Sequence, residues 1–484
     1  MTKWLRRGRV AGATVVAMCL ASWCTSCGRL PSSAGLRSTP CPPGRAAGHG
    51  NALAGRSAAR STQPVGRRVG SPPPARQLWA STLRGPDLSP VAQAVSPDGT
   101  RLFVTGYVGP WVKIETVAYS TATGARQWAT TYPPDNAGGP GNVIAVSPDG
   151  TRVYVTGWQG AVTIAYAAGT GKRLWVSRVN HERVSLDGLA VSPDGATVYQ
   201  AGHGLVSGRG RYIAVIAYDA ATGRQRWLRY YTRVNRAEAV AVAVSPDGST
   251  VYVSGEAGAE LPASYSLLVL AYRADGTLRW ATRHANRYTG GTYAGGAFGG
   301  PIVLSPGGRD VYVTGTVSSK YGHYVAATFA FRAATGTCLW LDPDRARGGG
   351  GKIAVTPDGR TAIFTGNRTG DIAGGYAISS YNASTGATRW ARRAPVPGNA
   401  PTTSTGLVID PHGDTAYVAS SNGGGYDIAA WSVARGTVLW TTSYAAAKVY
   451  DPVGIALSND GTRLFITGSA GLPGGGMTTV AYQT

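Results

Sequence analysis

AVSPDGTRLFVTG, residues Ala94 to Gly106, is the stretch on which the reading of the whole chain turns. An apolar run ends at Val95, Ser96-Pro97-Asp98-Gly99 follows, and an alternating run begins at Leu102. Pro presets one turn dihedral, Asp bonds its own backbone, and Gly tolerates positive φ, so the segment reads as the reversal of a hairpin. It returns as Ser147 to Gly150, Ser192 to Gly195, Ser245 to Gly248, Ser305 to Gly308, Thr356 to Gly359, Asp410 to Gly413 and Ser458 to Gly461. These eight copies have glycines 45 to 60 residues apart, the size of one four-stranded propeller blade.

A second motif, AYDAATGRQRW at Ala217 to Trp227, follows the first after 15 to 23 residues and supplies two further strands around its own Gly turn. It occurs seven times, against eight of the first. The last repeat stops at TTVAYQT, one strand short, while RQLWAST around Trp79 precedes the first SPDG. Pairing that N-terminal strand with the C-terminal one closes a ring and removes its exposed edges. The expectation is an all-β, eight-bladed β-propeller over residues 76–484, closed by an N-terminal strand. One Trp per repeat (Trp79, Trp128, Trp175, Trp227, Trp280, Trp340, Trp390, Trp440) is expected to pack between blades near a motif Gly rather than to hold a cofactor. Each PDG aspartate reads as a turn former, not a calcium ligand.

Composition agrees with short strands and many turns: 69 Gly, 14% charged residues, and 25 Tyr and 13 Trp against 6 Phe. The net charge of +22 is uneven. Residues 1–76 carry twelve Lys/Arg and no Asp or Glu, which leaves +10 for the remainder, with no basic helix or stacking motif there. Nucleic acid is therefore not an expected partner.

Lys3, Arg6, Arg7 and Arg9 precede an apolar run from Val10 to Ala21, the basic and hydrophobic regions of an export signal over residues 1–27. The run is too short to span a bilayer comfortably. Cys27 follows small residues and is the lipidation candidate of a lipoprotein-type signal, with a freely secreted protein or an uncleaved anchor as the alternatives. Residues 28–75, rich in Arg, Pro, Gly and Ser, read as a disordered leader that folding does not need. Cys19, Cys24 and Cys27 lie in the signal region and Cys41 in the leader, so Cys338 stands alone in the folded part and no structural disulfide is expected within it.

The A-x-D-x-x-T-G-x-x-x-W repeat resembles the tryptophan-docking repeat of quinoprotein, or PQQ-like, propellers, and SPDGTRVYVTG at Ser147 to Gly157 resembles the YVTN-type repeat of lactonase-like propellers. The resemblance is specific for fold and weak for function. It implies, for the quinoprotein enzymes, paired cysteines over the quinone, a calcium cluster and a catalytic Asp. Cys338 has no pair in the fold, so the nearer analogy is with non-catalytic relatives such as the outer-membrane assembly lipoprotein of that fold. Neither PQQ nor Ca2+ is supported by the residues, and no cofactor is expected.

The SPDG and ATG turns are uniformly short, and the length variation falls after VTG and after each Trp, segments that share one face of a propeller. The crossover between Trp280 and Ser305 is the longest of its kind, and His284, Arg287, Tyr288, Tyr293 and Phe298 within it are the ligand-face candidates. His181, His203 and His323 map to the same face, and Asp87, Asp135, Asp187, Glu238 and Asp451 could converge near the channel mouth. No catalytic motif is visible. The expected function is a non-catalytic, extracytoplasmic, monomeric module at the cell envelope that binds a protein, glycan or envelope polymer and touches the membrane only through a lipid on Cys27. The alternative is a quinoprotein- or lactonase-like enzyme with its site at the channel mouth.

Overall fold

A computed structural model describes Cys41, Pro42 and residues 75–484 apart from the segments 110–112, 134–140, 158–160, 180–182, 207–209, 235, 259–265, 286–297, 319–323, 348–349, 368–374, 395–403, 422–424, 445–448 and 471–474. The described residues form 32 β-strands. They make eight antiparallel four-stranded blades: residues 89–132, 141–178, 183–231, 236–285, 298–347, 350–393 and 404–444 are blades 1 to 7. Blade 8 combines residues 449–483 with the strand Arg76–Arg84, which pairs antiparallel with Gly476–Gln483. The first strand of each blade contacts that of the next all the way round, so these strands form the inner ring. Blades 3 and 4 are further joined by a parallel bridge between Arg211 and Arg236.

Every PDG turn is fixed by its own side chains. In blade 1 the Ser96 hydroxyl donates to Asp98, the Thr100 N–H donates to Asp98 Oδ1 at 3.0 Å, and the Arg101 N–H donates to Ser96 Oγ at 2.9 Å. The aspartates are thus turn formers, as their position in the sequence implies.

The tryptophans lie between blades. Seven of them, Trp79 to Trp390, donate Nε1–H to a carbonyl of the following blade at 2.7–3.1 Å. Each of these indoles also covers the ATG-type glycine of that blade: a Cβ on Gly124 would lie 2.6 Å from Trp79, and the six equivalent glycines are as crowded. Those glycines have φ between +62° and +84°, so both the backbone and the ring above require glycine. Trp79, in the strand completing blade 8, docks on Gly124 of blade 1, which closes the ring. Among the described residues buried apolar clusters fill all eight seams between neighbouring blades.

Two expectations about the leader are corrected. Cys41 forms a disulfide with Cys338, whose strand is the outer one of blade 5. The Leu341 N–H also donates to the Pro42 carbonyl at 3.0 Å, and Cys41 packs on the cluster between blades 4 and 5. Counting the cysteines within the repeats missed this bond, because a partner 297 positions away in sequence belongs to no repeat. Ala75, at the other end of the leader, packs on the cluster between blades 7 and 8. Cys27 lies outside the described residues.

Candidate functional site

Each first strand carries a β-bulge at the same level, a few residues ahead of its PDG-type motif. In blades 1 to 4 it falls between Pro90 and Ala92, Gly141 and Val143, Leu186 and Gly188, and Ala239 and Ala241, and blades 5 to 8 repeat it. A bulge adds a residue, bends the strand and redirects a side chain. In blade 3 the added residue is Asp187, whose Oδ2 meets His203 Nδ1 of the neighbouring strand at 2.9 Å while Ser185 Oγ donates to Oδ1 at 3.3 Å.

The adjoining edge of blade 4 carries the complementary charges. Arg211 of blade 3 donates across the seam to Glu238 Oε1, and Arg236 Nη2 lies 3.6 Å from the same oxygen. Arg236 and Glu238 are two residues apart in one strand and share a face, which places both beside the bridge to Arg211. Glu256 stands directly opposite Glu238 in the antiparallel register. Burial and then the Glu238 charge push the Glu256 carboxyl above its ordinary range, with Arg236, Arg211 and His203 pulling the other way. One seam therefore holds three carboxyl groups, two guanidinium groups and an imidazole on rigid strands, an arrangement able to hydrogen-bond a polar ligand.

Of the five acids proposed to converge, Asp187 and Glu238 lie on the adjoining first strands of blades 3 and 4. Asp87 sits in a turn at φ +51°, Asp451 lies in the first strand of blade 8, and Asp135 is outside the described residues. His203 is in a strand, not a loop, and His181 and His323 are not among the described residues. Arg211, Arg236 and Glu256 escaped the sequence reading because it weighed loops. The signal available was the R-x-E spacing of Arg236 and Glu238 at a strand start.

The ligand-face candidates are also relocated. His284 lies in the strand Leu278–Ala285, opposite Leu267, with its ring 5.1 Å from that of Phe329 in a T-shaped contact. Phe298 begins the strand Phe298–Leu304 and pairs with Thr316. Both belong to sheets rather than to the crossover, because ladder pairing continues beyond the last motif residue. Arg287, Tyr288 and Tyr293 lie outside the described residues.

The family described as outer membrane protein assembly factor BamB matches residues 70–297 and 327–478. The chain belongs to this family. Its propeller is also shared with solved structures of low sequence identity. The quinohemoprotein alcohol dehydrogenase of Comamonas testosteroni has 13% identity and TM-score 0.55, over 84% of this chain and 76% of that one. A second quinohemoprotein alcohol dehydrogenase, from Pseudomonas putida, has 15% identity and the same score and coverage. The Sqt1 protein of Chaetomium thermophilum, solved with the N-terminus of a ribosomal protein, has 15% identity and TM-score 0.56, over 83% and 98%. No curated protein matches the chain by sequence.

The expectation of no cofactor is corrected by these comparisons, since two structures that share the fold over most of the chain are quinohemoproteins. The propeller fold is one that those two quinohemoproteins also use. In this chain Cys338 is bonded to Cys41 in an outer strand, and among the described residues no three His, Cys, Asp or Glu side chains gather as metal ligands. These residues do not fit a quinone-covering cysteine pair or a calcium cluster, so no chemical step is assigned to such a group.

Proposed function

We propose that this PQQ-like propeller is an exported binding or scaffolding module at the cell envelope, taking a protein, glycan or envelope polymer on its crossover face. The family match carries this reading, because the family is described by a role in assembly. Two features support it. The Cys41–Cys338 disulfide suits an oxidising compartment outside the cytoplasm. The charged groups between blades 3 and 4 offer directional contacts on a rigid frame, the usual basis of specificity. Export by the N-terminal signal, with or without lipid on Cys27, and action as a monomer complete the proposal.

The test is quantitative cross-linking in native envelopes, comparing the wild type with Arg211→Ala and Glu256→Gln. Partners specific to the crossover face should be depleted several-fold from both variants while the melting temperature holds. An unchanged partner set in both would remove the charged seam from the reading.

A further inference from the structure

The two ends of the propeller differ in how their seams close, and one seam on the PDG-turn face stays open. Around the ring, the proline of each PDG-type turn lies against the motif glycine of the next blade. A Cβ placed on Gly150, Gly195, Gly248, Gly308, Gly359, Gly413 or Gly461 would fall within 3.6 Å of the preceding blade's proline Cδ. At Gly99 nothing lies within 4 Å. The preceding blade there is blade 8, whose turn reads Ser458-Asn459-Asp460-Gly461, with Asn459 where the other turns have proline. Its side-chain amide instead donates to the Pro97 carbonyl. A groove of about 660 Å³ opens between blades 8 and 1, lined by Asp98, Arg101, Gln127, Asn459, Asp460 and Arg463 among others.

The hydrogen-bond inventory of that groove favours donors. Asp98 accepts from Ser96 Oγ, the Thr100 N–H and Thr100 Oγ1, and Asp460 accepts in the same way from Ser458 and Thr462. Both carboxylates are thus engaged within their own turns. Asn459 donates to Pro97, and Gln127 Oε1 accepts from Arg101 Nε at 2.8 Å. Among the described residues no hydrogen bond engages the Arg463 guanidinium, the Nη groups of Arg101 or the Gln127 amide N–H, nor the Ser120 hydroxyl and Asn459 Oδ1, while Arg101 and Arg463 each lie in the field of their own turn's carboxylate, Asp98 and Asp460. Donors outnumber acceptors among the unengaged groups, and two guanidinium groups favour oxygen anions by their planar forks.

We propose that the groove between blades 8 and 1 is an oxyanion-binding site, with Arg463 and Arg101 as its principal contacts and the Gln127 amide as a third donor. It lies on the face opposite the crossover site and does not depend on the function proposed above. The shared chemistry is a carboxylate or phosphate group.

Calorimetric titration of the full chain with inorganic phosphate and, separately, with tetraglutamate distinguishes a free anion from an acidic peptide. At least one probe should bind the wild type, and Arg463→Gln should weaken that binding about tenfold. Arg152→Gln removes a guanidinium at the same register of blade 2, away from the groove, and should leave affinity unchanged. Asn459→Pro should restore the contact with Gly99, narrow the groove and weaken binding while the melting temperature holds. Leader arginines are common to all four proteins, so the differences report the groove. Binding of neither probe, equal affinity of wild type and Arg463→Gln, or equal losses in Arg463→Gln and Arg152→Gln would overturn the proposal.

Discussion

At the scale of single residues, the molecule depends on positions where one atom more or less changes the outcome. Gly124 combines φ +71° with an indole over its Cα, so Gly124→Ala meets both backbone strain and Trp79. The expected cost is about 2–3 kcal/mol, read by denaturant titration; a loss under half that would mean the closing seam yields easily. Glu115 offers a test of opposite sign. The residue is 7% exposed, and Oε2 accepts from Thr131 Oγ1 at 2.5 Å. Burial pushes its carboxyl above the ordinary 4.5, with the Thr131 bond and then Arg126 opposing. The folded state therefore holds this proton more tightly than the unfolded chain, and stability falls as pH rises from 4.5 through the raised folded value. Glu115→Gln keeps an acceptor for Thr131 and has no charge to bury. Melting temperatures should match the wild type near pH 4 and exceed it at pH 8, and equal values at pH 8 would show that the carboxylate is accommodated at no cost.

At the scale of elements, two short pieces of chain hold more than their length suggests. The strand Arg76–Arg84 gives blade 8 its outer edge and sends Leu78, Trp79 and Leu83 to the cluster between blades 8 and 1. Its removal should cost several kcal/mol in lost burial and expose the strand Gly476–Gln483 as an edge. A protein beginning at Gly85 that melts like the full chain would contradict closure by this strand. The pair Cys41 and Pro42 is the other piece. Cys41→Ser should lower stability by about 2–5 kcal/mol, since the bond closes a long loop in the unfolded chain. Adding reductant to the wild type should reproduce that loss, and no effect of either would return the leader to the role of a passive tether.

At the scale of the whole molecule, repetition turns a local feature into a global one. Asp98, Asp149, Asp194, Asp247, Asp358 and Asp460 each have their carboxyl held below the ordinary 3.8, first by the motif Ser or Thr hydroxyl and then by a backbone N–H. A depressed folded value means stability that is present above 3.8 and lost as pH falls through the folded values, about 2 for Asp460. Each turn is exposed and contributes little, but six act in one window. The melting temperature should drop steeply below pH 4, and replacing several of these aspartates by Asn should flatten that drop. An unchanged acid profile would show that the turns do not titrate with folding.

The fold was legible in the sequence because a blade is a local object. Its turns need Gly, Asp and Pro at fixed offsets, its seams need one Trp per repeat, and the unequal motif counts required the N-terminal strand to complete the last blade. The site was legible only in part. Asp187 and Glu238 could be named from their place ahead of the motif, but of their partners only Arg236 shares a strand with either, while His203, Arg211 and Glu256 come from three other strands, and only the pairing within blades 3 and 4 and the packing between them set these side by side. His284 and Phe298, read as loop residues, were taken into ladders because strand pairing does not stop at the last motif residue. The Cys41–Cys338 bond and the groove at Asn459 were settled by tertiary structure alone. Each depends on which residues the closed ring brings together, and repeat spacing carries no record of a contact between the leader and blade 5 or between the last turn and the first.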